Sequence, residues 1–276
     1  MYHALSSRFG RSAPMLRSNS PLTDDQMRSV APSIFAQEPH GTRSERYTYI
    51  PTIDVLTGLR REGFEPFMVT QTRVRNLDRR EHTKHMIRLR HAGQIAGAEA
   101  NEIILLNSHD GTSSYQMLAG MFRFVCSNGM VCGKTLGDIR TPHKGDVIGQ
   151  VIDGAFSVLD SFERAAELRE GMQTTRLPSG ADRAFAAAAL TLRYDNADAA
   201  PIRAEQLLTP RRIDDRGDDL WRTFNRVQEN VIRGGLQGRN ASGQRHTTRA
   251  VKGIDQDVKL NRALWVLAEE MQRLAA

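Results

Sequence analysis

The hydrophobic period of this chain changes twice along its length, and those changes limit the folds it can adopt. A segment beginning at Thr52 (IDVLTGLRREGF) carries apolar residues at helical spacing and reaches a plausible stop at Gly63. Thr52 is placed to cap that helix. The period then falls to two between Phe67 and Cys126, as in strands, and returns to helical spacing after Asp146. This order of helix, antiparallel meander and helices predicts an α+β fold.

The meander is expected to hold about four strands, with a largely helical C-terminal half after it. Gly120, within the last strand, marks either a bulge or a close approach of backbone. The four predicted strands are Phe67–Arg75, Lys84–His91, Glu102–Asn107 and Tyr115–Cys126.

The domain organisation follows from these patterns. Residues 1–45 are rich in Ser, Pro and Arg and are expected to be mostly flexible, with one short helix capped by Thr23. Residues 46–276 are expected to form a single α+β domain. Within it, residues 46–145 supply the helix and meander, and residues 146–276 supply the helical part, including a basic loop at 233–252.

Composition narrows the class of protein. The chain has 276 residues, of which 39% are hydrophobic, and no apolar run approaches the roughly 20 residues that span a bilayer. Its first residues lack the apolar core of a secretory signal, and its two cysteines are too few for a disulfide framework. We therefore expect a cytoplasmic protein with no membrane partner. Phosphate-binding glycine motifs are absent from the sequence, so we expect no nucleotide cofactor.

Positive charge is concentrated in two places, although the net charge is only +6. The first is the predicted hairpin of the first two strands. Strand alternation places its arginines on one face and apolar residues such as Ile87 and Leu89 on the other. Two interpretations fit: a surface that follows a phosphate backbone, and a solvated face balanced by nearby acids. The hairpin arginines are Arg73, Arg75, Arg88 and Arg90, which Arg123 of the fourth strand could join.

The second concentration is the segment 233–252, RGGLQGRNASGQRHTTRAVK, which contains no acidic residue. Gly, Ser, Asn and Gln separate its cations, so it is expected to be a flexible loop that binds a polyanion; an inert linker is the alternative. Its basic residues are Arg233, Arg239, Arg245, Arg249 and Lys252.

The loop NSHDGTSS after the third strand allows three interpretations. Asp-Gly with Asn, Ser and Thr is typical of a tight structural turn. The loop could also contact a phosphate through Asn107, His109 or Ser113. A catalytic or metal site would use His109 and Asp110, but no second cluster with metal-ligand spacing accompanies them. Cys126 and Cys132 have no second pair to complete a zinc site. We therefore expect neither a metal nor a catalytic residue.

Two motifs link this chain to a known family: the N-S-H-D-G-T loop, and R-x-x-C-S-N-G at 123–129. With APSIFA, RYTYIPT, TRVR and DVKLNRALWVLAEE, they resemble a domain-of-unknown-function family carried by phages, prophages and conjugative plasmids. The resemblance runs from Ala31 to about Leu267 and implies a mobile genetic element. A looser topological similarity to Rad-fifty-two and RecT-like annealing proteins implies rings or filaments that hold a single strand in a basic groove.

The leading hypothesis is a non-catalytic, single-stranded DNA-binding protein that acts in recombination or strand annealing as a homo-oligomeric ring or filament. The hairpin arginines would line the groove, and Arg239, Arg245 and Arg249 would hold the strand. An accessory protein that counters a host defence or repair factor is the alternative, with a host protein as partner. A metal-dependent nuclease built on His109 and Asp110 is a third possibility.

Overall fold

A computed structural model describes residues 14–38, 49–74, 77–91, 95–96, 99–124, 128–132, 139–142, 145–194 and 200–275. The fold is α+β, as the sequence predicts: an antiparallel sheet is combined with helices, and the C-terminal part is helical. The chain divides into two compact units. The first comprises Met1–Met130 with Thr135–Phe162, and the second comprises Val131–Lys134 with Glu163–Ala276.

An eight-stranded sheet organises the first unit, with hydrogen-bonded order β1-β2-β3-β5-β6-β7; β4 pairs with β5, and β8 pairs with β6. The four predicted strands correspond to β2, β3, β5 and β6, but the first of them begins and ends earlier than its pattern indicated. The strands are β1 Met15–Arg17, β2 Phe64–Gln71, β3 His85–His91, β4 Ile95–Ala96, β5 Glu99–Asn107, β6 Tyr115–Arg123, β7 Asn128–Val131 and β8 Ile139–Thr141.

Helices pack on one face of this sheet and bury its apolar residues. Strand alternation directs Ile87 and Leu89 to this face, as predicted, and both are fully buried. Gly154 of α3 lies so close to Met117 of β6 that a Cβ atom there would be 2.2 Å from the Met117 methyl carbon. The helices of this unit are α1 Asp24–Val30, α2 Thr52–Arg61 and α3 Val147–Asp160, with 3-10 helices at Pro32–Phe35 and Leu77–His82.

Residues 14–38 are ordered, in contrast to the mostly flexible segment expected. β1 pairs with β2, and Leu16, Met27 and Ile34 enter the core. Thr23 caps α1 as predicted, because its hydroxyl accepts from the Gln26 amide while the Gln26 side chain accepts from the Thr23 amide. The apolar residues are too widely spaced for a periodic signal, and their burial depends on partners far along the chain.

Gly120 marks a close backbone approach, one of the two outcomes predicted for it. A Cβ atom at this position would lie 3.0 Å from the Met130 carbonyl oxygen and 2.8 Å from the Ile104 side chain. β6 continues through Gly120 without interruption. The glycine therefore allows β7 to lie close to the Gly120 backbone of β6, its neighbour in the sheet.

Helix α6 is the core of the second unit and is buried along nearly its whole length. Its aromatic residues Trp221 and Phe224 pack against Trp265 of α7, with ring centroids 6.3 and 5.8 Å apart. The elements of this part are α4 Phe162–Thr174, α5 Ala181–Arg193, a 3-10 helix at Ala204–Leu208, α6 Leu220–Arg233, β9 Gln237–Arg239, β10 Arg245–Thr247 and α7 Ile254–Ala275. Among the helices that the structure describes, none is both long and apolar enough to cross a membrane.

Candidate nucleic-acid interface

The prediction that Arg88 and Arg90 form an exposed basic face is wrong. Both arginines are 1% exposed and share one carboxylate, Glu102 on the neighbouring strand β5. Arg88 Nη1 lies 3.0 Å from Glu102 Oε2, and Arg90 Nε lies 2.9 Å from Glu102 Oε1. The two side chains do share a face of β3, as alternation requires, but that face is buried.

Aromatic rings and a backbone carbonyl stabilise the extra positive charge of this buried trio. The Arg90 Cζ atom lies 4.3 Å from the Phe67 ring centroid and 4.4 Å from that of Phe122. A cation near the faces of desolvated rings gains electrostatic stabilisation. Arg88 donates a second bond to the Met130 carbonyl oxygen. The arginines of β3 are therefore structural.

The other described residues of the predicted basic face do not assemble either. Arg73 is exposed, but β2 ends at Gln71, so Arg73 is not in the sheet. Arg75 lies outside the described residues. Arg123 is 8% exposed, and its Nε atom lies 3.6 Å from Glu99 Oε1. The sheet thus offers no continuous row of exposed arginines in the part of the chain that the structure describes.

The acid-free segment is more ordered than the flexible loop expected, because β9 and β10 within it form an antiparallel hairpin. Gly238 faces inward: a Cβ atom there would lie 1.7 Å from the Pro201 carbonyl oxygen. The Arg239 amide donates to the same carbonyl at 2.8 Å. This close packing fixes which face of the hairpin points to solvent.

The outer face of the hairpin places two cations directly opposite each other. Arg239 pairs with Arg245 across the strands, and both are exposed. Arg249 and Lys252, farther along the chain, are also exposed. Within the described ranges these four residues form no ion pair. Arg233 differs from them, because its Nη1 atom lies 2.7 Å from Glu229 Oε1.

Two residues of the NSHDGTSS loop, Asn107 and His109, belong to a buried cluster centred on the Thr52 hydroxyl. Thr52 Oγ1 lies 3.0 Å from His85 Nε2, 3.1 Å from His109 Nε2 and 3.0 Å from Asn107 Nδ2. The Tyr115 hydroxyl is 3.3 Å away. All five residues are fully buried.

The hydrogen atoms of this cluster can be assigned, starting from His85. The Ser33 hydroxyl donates to Gln71 Oε1, so it accepts from His85 Nδ1, whose other neighbour is the Thr83 carbonyl oxygen. His85 Nδ1 therefore carries the proton, and in the neutral ring Nε2 is an acceptor.

The Thr52 hydroxyl must then donate to His85 Nε2, which leaves two lone pairs on its oxygen. Asn107 Nδ2 and His109 Nε2 donate to them, because the Tyr115 hydroxyl already donates to the Ile50 carbonyl oxygen. Every hydrogen-bonding position of Thr52 is used. The prediction that Thr52 caps α2 is wrong. Thr52 is the first residue of the helix, and its side chain makes no capping hydrogen bond.

The electrostatics of the cluster favour a neutral His85. Burial lowers the pKa of His85 to about 4, and the opposing effects of the Thr83 carbonyl and Asp110 are smaller. A proton on Nε2 would also face a hydroxyl oxygen whose lone pairs are occupied. Both effects keep the ring uncharged near neutral pH.

The loop itself is a tight turn, one of the three predicted interpretations. Asp110 Oδ1 accepts from the Thr112 amide at 3.0 Å, and Gly111 has φ +76°. The Ser108 hydroxyl accepts from the Ser113 amide. Of the proposed contact residues, only Ser113 is partly exposed, since Asn107 and His109 belong to the buried cluster.

His85 is the member of the cluster that sequence reasoning missed. His85 lies on β3, far along the chain from the loop that holds His109, yet the two rings lie 5.5 Å apart. The signal available was a histidine at an inward position of an apolar strand face. Among the described residues there is no group of three or more His, Cys, Asp or Glu side chains that could hold a metal.

Comparisons with known proteins agree with the resemblance carried by the motifs. Residues 39–265 match the family model described as Domain of unknown function (DUF932). The chain belongs to this family. It is 59% identical over 267 residues to two Escherichia coli (strain K12) proteins, UPF0380 protein YfjQ and UPF0380 protein YafZ, with 97% of each chain covered. No solved structure matches the chain.

The first prediction concerns the buried ion trio of Arg88, Arg90 and Glu102. Replacing Glu102 by Gln removes the carboxylate between two buried guanidinium groups, and breaking such a pair costs about 3–5 kcal/mol. We expect a loss of that size in the free energy of unfolding, measured by urea denaturation. Glu65→Gln is the control, because Glu65 is 41% exposed where it pairs with Arg60. Equal effects of the two substitutions would contradict the buried trio.

The second prediction concerns the Thr52 hydroxyl. Thr52→Val keeps the shape of the side chain but leaves three buried polar groups without their partner, at about 1–3 kcal/mol each. We expect a loss of at least about 3 kcal/mol by urea denaturation, and a smaller loss for Thr52→Ser, which keeps the hydroxyl. Thr57→Val on the exposed side of α2 serves as control. A well-tolerated Thr52→Val would refute the hydrogen-bond assignment.

The third prediction is a pH dependence of stability. The pKa of His85 is about 4 in the folded protein, against an ordinary value of 6.5 in the unfolded chain, so the unfolded chain binds the proton first as pH falls. The contribution of His85 to the free energy of unfolding is complete above pH 6.5. It is lost between pH 6.5 and 4, and the loss amounts to about 3 kcal/mol. The free energy of unfolding, measured by denaturant titration at several pH values, should fall more steeply for wild type than for His85→Gln as the pH drops through this window. Parallel curves would rule out the buried neutral histidine.

Proposed function

We propose that the protein is a non-catalytic, cytoplasmic protein that binds single-stranded DNA and acts in recombination or strand annealing for a mobile genetic element. The observation that carries this proposal is the juxtaposition of Arg239 and Arg245 on the outer face of the β9–β10 hairpin, where both are exposed and neither has an ion-pair partner among the described residues. The mobile-element context rests on the family resemblance.

Two like charges directly opposite each other on a hairpin repel and reduce its stability. Acidic neighbours usually relieve such repulsion, yet within the described residues neither arginine has an ion-pair partner. A bound polyanion would relieve it. Arginine suits this role because its planar group binds phosphate through two donors and also stacks on bases.

The cationic surface extends beyond the pair. Arg193 is partly exposed at the end of α5, and its Nη2 atom donates to the Arg249 carbonyl oxygen at 3.1 Å. Arg249 and Lys252 continue the surface toward α7. A series of cations of this kind suits an extended strand that offers one phosphate per nucleotide. Copies of the chain in a ring or filament would align these surfaces into one groove.

An accessory protein that binds an acidic host protein is the second candidate, and the same exposed arginines support it. The two candidates differ in the partner of the hairpin. Binding to an oligonucleotide separates them, because nucleic-acid binding weakens with salt in proportion to the number of phosphates contacted.

The fourth prediction is that the double variant Arg239→Gln/Arg245→Gln binds a fluorescent single-stranded oligonucleotide more weakly. The plot of log affinity against log salt should become shallower by about 1.4, since each phosphate contact to a single strand contributes about 0.7. The variant should be at least as thermally stable as wild type, because a repulsive pair has been removed.

The matched control is Arg183→Gln/Arg273→Gln, which removes the same charge from exposed positions on α5 and α7. Its salt slope should equal that of wild type. No oligonucleotide binding at low salt by the wild type would overturn the proposal and favour a host protein as partner. Equal slopes for both double variants would remove the hairpin from the binding surface.

A further inference from the structure

A second cluster of arginines lies at the C-terminal end of α6, and only one of its members was selected from the sequence. Arg211 and Arg212 come from the segment before the helix, and Arg233 is its last residue. Two of the three bind the same oxygen, Oε1 of the buried Glu229, at 2.8 Å from Arg212 Nη2 and 2.7 Å from Arg233 Nη1. Two guanidinium groups therefore share one carboxylate, and that of Arg211 binds the adjacent Asn230.

Buried acceptors hold these arginines in position. Arg211 Nε donates to Asn230 Oδ1 at 2.6 Å, and its Nη2 donates to the Gly234 carbonyl oxygen. Asn230 is itself fixed by bonds from its Nδ2 to the carbonyl oxygens of Leu207 and Thr209. Long cationic side chains normally lose rotamer freedom when they bind a ligand. Here that freedom is already lost, while the Arg233 side chain remains 47% exposed.

The positive charge of the cluster exceeds the negative charge around it. Glu229 and the partial negative charge of about one half at the helix C-terminus offset part of the three guanidinium charges. Burial lowers the pKa of Arg211; Glu229 opposes this effect, and the like charges of Arg233 and Arg212 add to it. A cap on the helix would need only one or two cations.

We propose that Arg211, Arg212 and Arg233 form a phosphate-binding site. Guanidinium groups fixed in a fork geometry match the oxygens of a phosphate group. The phosphate can belong to the backbone of a bound strand or to a free polyphosphate compound. The first source rests on the proposed function, whereas the second does not.

The position of the cluster connects it to the hairpin surface. Gly234 lies against the backbone of Arg249, since a Cβ atom on Gly234 would be 2.6 Å from the Arg249 carbonyl carbon. Gly234 and Gly235 have positive φ values, which other residues adopt with strain. This turn places the end of α6 beside the cations that follow β10, so that one strand of nucleic acid can reach both.

The test uses inorganic pyrophosphate with the full-length protein at constant ionic strength. We expect a saturable rise in Tm of at least about 2 °C for the wild type. The rise should disappear in Arg211→Gln and persist in Arg216→Gln, an exposed arginine of the same connecting segment, and in Arg239→Gln/Arg245→Gln. Arg233→Gln is the second variant, because it should also lose the rise and leaves Glu229 paired with Arg212.

The result that overturns the proposal is a Tm that pyrophosphate does not raise, or a rise that neither Arg211→Gln nor Arg233→Gln reduces. The cluster would then be only a helix cap. Oligonucleotide binding identifies the source of the phosphate. A salt slope shallower by about 0.7 in Arg211→Gln supports the backbone of a strand. An unchanged slope in Arg211→Gln, together with a wild-type pyrophosphate response that this variant loses, supports a free polyphosphate compound. The hairpin variants still test strand binding separately.

Discussion

The Thr52 hydroxyl is the point on which the arrangement of the first unit depends. It joins the first turn of α2 to His85 on β3, to Asn107 at the end of β5 and to His109 in the following loop. Each of these groups is fully buried, where an unpaired donor or acceptor is costly. The loop therefore keeps its path because its side chains complete a hydrogen-bond chain inside the protein. This explains why the NSHDGTSS loop, whose His109 and Asp110 could also suit a catalytic site, contributes Asn107 and His109 to the core.

Periodicity was enough to predict the elements and the side on which most residues lie, but it could not predict their partners. Alternation correctly separated Arg88 and Arg90 from Ile87 and Leu89. The exposure of the arginines depended on Glu102, whose position beside them follows from the pairing of Arg88 with Ile104 across β3 and β5. The residues of one strand do not determine that register. His85 was missed for the same reason, since its partners Ser33, Thr52 and His109 lie far from it in the sequence.

The acid-free segment 233–252 differs from β3 in how much its own residues indicate about its surface. Its lack of Asp and Glu is visible in the sequence, and Arg239, Arg245 and Arg249 are exposed in the structure. The hairpin was not predicted, because its strands are three residues long and lack an apolar alternation. Packing of Gly238 against the Pro201 carbonyl determines which side faces solvent. A short strand can thus be fixed by one close backbone contact.

Arg88 and Arg90 of β3 differ physically from Arg239 and Arg245 of the hairpin, and the net charge of +6 does not distinguish the two pairs. Those of β3 are desolvated, so a shared carboxylate and aromatic faces compensate their charge inside the fold. They present no guanidinium group at the surface for a ligand to contact. Those of the hairpin are exposed and have no ion-pair partner within the described residues, and their mutual repulsion is a cost that a polyanion can remove. Partner recognition therefore has to be sought where the fold leaves cations close together and exposed, regardless of where the sequence is richest in arginine.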